Sequence, residues 1–174
     1  VKALKIILIV IGVVVILIVA LFAILLLMNR QGVVEPYAIG ETEAEAKVLI
    51  ASQGSKFKNA LVDSLTSRLT DESVYIGVID VTGFGEIKED DWDAIVIIHT
   101  TEQSAPPADV KQYLDRAQDL SKVIMVTTSG SGEWKSGDYD VEAITSASKT
   151  EEIPGITDDV VEKLGQLVHV IPVE

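Results

Sequence analysis

Lys47-Val48-Leu49-Ile50-Ala51-Ser52-Gln53-Gly54-Ser55-Lys56 is the stretch on which the fold turns. Val48 to Ala51 form an unbroken apolar run, the pattern of a strand covered on both faces. Ser52, Gln53, Gly54 and Ser55 are small or polar, and the glycine is free to take a positive φ. From Phe57 the period changes, with Phe57, Leu61, Leu65 and Leu69 spaced four apart along one helical stripe. A strand, a tight turn and a helix N-terminus together make a corner that accepts anions, because unpaired N–H groups point out of it. Ser52, Gln53, Gly54, Ser55 and Lys56 are therefore a candidate phosphate cradle, with Lys56 and Lys58 to offset charge. The plainer alternative is the tight turn that any parallel α/β domain needs after its first strand.

Outward from that corner the pattern repeats. Ser73–Val81, Asp93–His99, Lys122–Thr127 and Val141–Thr145 read as further strands, the second of these uniformly apolar and hence central. A helix is expected after Pro107, with Val110, Tyr113, Leu114 and Ala117 on one face. A last helix is expected from an N-cap at Thr157, with Asp158 and Asp159 near its positive end and Val160, Val161 and Leu164 inward. Val168–Val173 reads as a short terminal strand. Strands alternating with helices imply a parallel sheet with right-handed crossovers. Ligands of such sheets sit beyond the carboxyl ends of the strands. That adds Thr100 and Thr101, in the loop reaching Ser104, and Ser129, Gly130 and Trp134 to the candidate site. His99 ends its strand beside this rim and reads as a hydrogen-bonded structural residue rather than a base.

The charge pattern divides the chain. Residues 1–30 hold Lys2, Lys5 and Arg30 and no acid, whereas the remainder carries 27 acidic and 11 basic side chains, a net charge of −16. So acidic a surface excludes nucleic acid, whose phosphates need neutralising. The absence of cysteine excludes disulfides and thiolate chemistry, and two distant histidines do not make a metal site. The acidic run Glu86 to Asp93 lacks the spacing of a calcium loop, and no Gly-x-Ser-x-Gly elbow is present. No residue is assigned a catalytic or metal-binding role.

Ile6 to Met28 is apolar throughout and long enough to cross a bilayer. It exceeds the length of a signal-peptide core, and no small-residue cleavage site follows it. Residues 1–30 are thus expected to be a single-pass transmembrane anchor, 31–46 a linker and 47–174 the domain. The basic N-terminal flank places that end in the cytoplasm and the domain outside the cell membrane. The expected partners are the bilayer, through residues 6–28, and another membrane protein or a second copy.

Asp91-Trp92-Asp93-Ala94-Ile95-Val96-Ile97 resembles the third strand of the flavodoxin-like family, which reads x-Tyr-Asp-Ala-Ile-Ile-Ile-Gly. The loop from Thr100 to Pro107 and the helix with Tyr113-Leu114 resemble that family's next loop and its Pro-Pro…Phe-Leu helix. The resemblance covers most of residues 47–168. It implies a three-layer doubly wound parallel sheet in the order 2-1-3-4-5, with FMN held between three loops for electron transfer. Trp134 or Tyr139 would then stack on the flavin ring. Ser52-Gln53-Gly54-Ser55-Lys56-Phe57 stands where the family has Ser/Thr-x-Thr-Gly-x-Thr, and Glu102 stands where an aromatic follows the second loop's threonine. Glu142-Ala143-Ile144-Thr145-Ser146-Ala147-Ser148 is similar to a motif of extracytoplasmic domains whose last threonine, here Ser148, carries phosphoester-linked FMN. Two functions follow from different classes. One is a membrane-anchored flavin-dependent oxidoreductase or electron carrier. The other is a flavin-free interaction or assembly subunit of a membrane complex, and the eroded loops favour an absence of catalysis.

Overall fold

A computed structural model describes residues 2–28, 32–70, 73–134 and 137–169. The chain forms two compact units, Val1–Gln31 and Gly32–Glu174. The first holds one helix, α1 (Lys2–Met28). Its Lys5–Ile24 stretch has a mean hydropathy of 3.6 and is long and apolar enough to cross a membrane. At 1.5 Å per residue α1 is about 40 Å long.

The second unit is an α/β domain built on one six-stranded sheet. Its strands are β1 (Tyr37–Ile39), β2 (Ala46–Ser52), β3 (Val74–Asp80), β4 (Ala94–Thr100), β5 (Val123–Thr128) and β6 (Glu142–Ser146). They lie in the order β1-β3-β2-β4-β5-β6. All neighbours are parallel except β1, which runs antiparallel on the β3 edge. The helices are α2 (Lys56–Leu69), α3 (Ala108–Arg116) and α4 (Ile153–Leu167).

Side chains alternate across a strand, so each apolar run feeds two cores. Val48 and Ile50 join Ala94, Val96, Ile98, Ile124 and Val126 beneath α2 and α4. Leu49 and Ala51 join Ile95, Ile97, Val123 and Met125 beneath Val110, Tyr113 and Leu114 of α3. Phe84, in a 3-10 segment after β3, stacks on Tyr113 in this second cluster, with ring centroids 4.3 Å apart. Leu61, Leu65 and Leu69 of α2 are fully buried, each contributing about 1.5–3 kcal/mol. Trp92 lies over Gly77 of β3, where a Cβ would collide with its ring.

Three features depart from the sequence reading. Residues 37–39, expected within a linker, form β1 and register Tyr37 with Val78 and Ile39 with Ile76. The sheet therefore has an antiparallel edge strand that the sequence reading did not include. The last helix begins at Ile153, with Pro154 in its first turn, where a missing N–H costs nothing. Thr157 is consequently not a cap. It is buried within α4, and its hydroxyl donates to Ser64 Oγ of α2 at 2.9 Å. Of the expected strand Val168–Val173, Val168 ends α4 by donating to Leu164 O, and the part from residue 170 onward lies outside the described residues.

Candidate functional site

Parallel pairing sets the carboxyl ends of β2, β4, β5 and β6 side by side, so the loops after them share one rim. Ser52 ends β2, Gln53 follows it, and both are buried. Gln53 ties two of the loops together. Its N–H donates to Ile98 O at 3.0 Å. Its side-chain Oε1 accepts from Thr100 N–H at 2.7 Å, and its Nε2 donates to Glu102 Oε1 at 3.3 Å. Thr100 Oγ1 lies 2.7 Å from Thr128 Oγ1. Thr101 N–H reaches Thr128 O, and Ser129 N–H reaches Ser146 O, each at 3.0 Å. Ser52, Gln53, Thr100, Thr101 and Ser129 are thus brought together by bonds to one another's strands.

Gly54 does not take a positive φ, a conformation that among the glycines belongs to Gly40 and Gly132. It is required for a different reason. Gly32 lies against it in an antiparallel bridge, with Gly32 N–H to Gly54 O at 2.6 Å and Gly54 N–H to Gly32 O at 2.8 Å. A Cβ on Gly54 would stand 2.5 Å from the carbonyl carbon of Gly32. Two residues on, Val34 N–H donates to Asp80 Oδ2 at 2.9 Å. The other oxygen of Asp80 accepts from Thr82 N–H and Thr82 Oγ1. Residues 32–34 are therefore a strap laid across the rim from β2 to β3. No local sequence signal foretells it beyond two glycines without side chains.

Ser55 caps α2, its hydroxyl accepting from Lys58 N–H at 3.2 Å. Lys56 is exposed at the first helical position. Lys58 is buried near the same hydroxyl, 3.5 Å away, and burial draws its pKa down to about 8. Beside it, His99 is fully buried, with Nε2 3.1 Å from Thr127 Oγ1 and no partner on Nδ1. Burial pulls its pKa down to about 4, opposed by a backbone hydrogen bond at Thr100 and aided by the charge of Lys58. The ring is thus enclosed, with Thr127 as its hydrogen-bond neighbour on Nε2.

The second loop reverses at Gln103 and Ser104, which have φ of 52° and 63°. Glu102 and Ala105 exchange both backbone bonds across them. Two adjacent non-glycine residues in the left-handed region cost about 1–2 kcal/mol each. In the third loop, Gly132 N–H meets Ser129 Oγ at 3.0 Å. Gly132 takes φ +73° tight against Ala147, whereas Gly130 has nothing near its absent Cβ. Gly132, which the sequence reading passed over, is the glycine this bend requires. Trp134 is half-buried at the end of the described part of the loop. Tyr139 is engaged elsewhere, its hydroxyl donating to Asp115 Oδ1 at 2.6 Å beside Lys111 of α3. Ser148 is exposed with φ +61°. Glu152 closes the bend before it, accepting from Ser146 Oγ and Ala147 N–H, and the Ser146 hydroxyl holds that carboxyl below the usual range.

Clefts of about 380, 510, 420 and 410 Å³ lie along the strap and α2, at the 40–45 turn, between β6 and α4, and between α2 and α4. Residues 52–56, 100–104 and 129–134 line none of these. Several polar groups of the rim bond to one another, through Gln53 with Thr100 and Glu102, Thr100 with Thr128, and Gly54 with Gly32. A scan of protein-family models and a search of curated proteins found no match to this chain.

Proposed function

We propose that the chain is a membrane-anchored α/β domain that serves as a flavin-free interaction or assembly module. The observation that carries this reading is the bridge between Gly54 and Gly32, with Gln53 clamped to Thr100 and Glu102. A phosphate cradle needs its main-chain N–H groups directed at an anion. Here the N–H of Gly54, at the centre of the expected cradle, is spent on the chain's own carbonyl. Opening it for FMN requires breaking two backbone bonds and displacing the strap, and Glu102 would bring a carboxylate to the flavin edge.

The doubly wound, three-layer flavodoxin-like arrangement is part of the same proposal. The parallel strands taken alone run second, first, third, fourth, fifth, and α2 with α4 and α3 belong to separate cores. Such a body can be kept for its surfaces after its ligand loops have closed. The anchor is α1, with Lys2 and Lys5 holding its start on the cytoplasmic side and the acidic domain on the outer face.

The decisive measurement is the visible spectrum of the full chain in detergent after mixing with FMN and desalting. The expected product is colourless, with an unchanged Tm. Flavin bands that survive desalting, or a mass increment on the peptide holding Ser148 in native membranes, would establish the redox reading instead.

A further inference from the structure

β6 is the outermost strand on its side of the sheet, paired with β5 and, among the described residues, with nothing beyond. In a parallel ladder one residue turns both its N–H and C=O toward one neighbour, and the next residue turns both the other way. Ser146 O accepts from Ser129 N–H on the β5 side. Ala143 and Thr145 therefore direct their main-chain groups outward. The same two residues, with Ile144, line the cleft of about 420 Å³ whose far wall is α4, through Asp159, Glu162 and Lys163.

We propose that this open edge, Ala143 to Thr145 facing Asp159 and Glu162, is a docking strip for an extended basic segment of another protein, which adds a strand to the sheet. The proposal rests on the reading of the domain as an interaction module and names its binding surface. Five residues of β6 offer about 16 Å of edge, enough for a short strand held by main-chain bonds with side-chain selection on top. The fold already closes its opposite edge in this manner, with β1 laid on β3.

Charge selects the occupant. Lys163 is tied to Glu142 at 2.6 Å, so the wall presents Asp159 and Glu162 to whatever enters, within a domain of net charge −16. Lys and Arg side chains alternating along an added strand meet those carboxylates. A second copy brings the same negative charge and is repelled. The chain after α4 is the other rival, and topology disfavours it. α2 and α4 share one face of the sheet, and the β2–α2–β3 crossover moves toward β1. A parallel strand beyond β6 would need a crossover of the opposite hand on that face, and nearly all such connections share one hand.

The test uses the full chain in detergent and a fluorescein-labelled peptide, Lys-Val-Lys-Val-Lys-Val-Lys, read by anisotropy. The control peptide carries a central proline at equal charge. The alternating peptide is expected to bind at least tenfold more tightly than the control. Thr145→Pro should weaken it at least tenfold with little change in Tm, because edge strands tolerate proline where the N–H faces outward. Asp159→Asn with Glu162→Gln, which leaves the strand untouched, should weaken it several-fold. Equal binding of both peptides, or indifference to both variants, overturns the proposal. So does self-association abolished by Thr145→Pro, or tenfold tighter binding after removal of residues 170–174. The FMN spectrum of the same sample separates the two failures: a colourless protein that ignores the peptide refutes only the strip, while retained flavin refutes the module reading itself.

Discussion

His99 shows what enclosure does to a titratable group. Its ring sits at the end of β4 with one nitrogen on Thr127 and the other unpartnered. The unfolded chain takes up its proton near pH 6.5, whereas burial holds the folded pKa down to about 4. The folded-state value is depressed, so the stability carried by the neutral ring is complete above about pH 6.5. It is lost as pH falls from there toward 4, at up to about 1.4 kcal/mol per pH unit. The domain's many carboxylates also titrate in this range, so the difference between wild type and His99→Gln isolates the ring. Urea midpoints at pH 7 and pH 4.5 should fall less for the variant than for the wild type. An equal fall in both would place the ring's proton outside the folding equilibrium. The burial of a histidine after an apolar run was legible because residues there point into a covered face.

Among the elements, the strap of residues 32–34 pairs with the turn at Gly54 and reaches Asp80. Gly54→Ala would drive a Cβ into the Gly32 backbone, and is expected to cost about 1–3 kcal/mol. Gly130→Ala, with nothing near its Cβ, should be neutral within about 0.5 kcal/mol. Denaturant unfolding of the two variants checks the contrast, and equal costs would mean that the strap does not press on the turn. These elements also mark where the sequence was readable. β2, β4 and β5 announce themselves because both faces are covered and each carries an unbroken apolar run, Val48–Ala51, Ala94–Ile98 and Val123–Val126. β1 does not, since Tyr37, Ala38 and Ile39 lie between Pro36 and Gly40 and are held mainly by their register on β3. The start of α4 was misplaced because a good capping residue, Thr157, stood inside a helix whose first apolar contacts, Ile153 and Ile156, come earlier. The Gly32–Gly54 pairing was not legible at all, because the two glycines are distant in sequence and neither has a side chain to pattern.

For the molecule as a whole, one chain joins a helix that is apolar from Ile6 to Met28 and carries only Lys2 and Lys5 to a strongly acidic body. The membrane reading predicts that Ile16→Arg, in the middle of α1, disfavours insertion by about 2.5–3.5 kcal/mol. Carbonate extraction should leave the wild-type chain in the membrane pellet and release much of the variant. Retention of both would show that α1 is not what holds the chain there. The strap has a mechanical corollary. Gly32 is the first residue of the second unit, after α1, so tension applied to the chain from its N-terminal side loads the Gly32–Gly54 bridge before it reaches β1 or the core. The two bonds of that bridge act as a fuse, and a modest pull would uncover the turn at Gly54 while leaving the central strands intact.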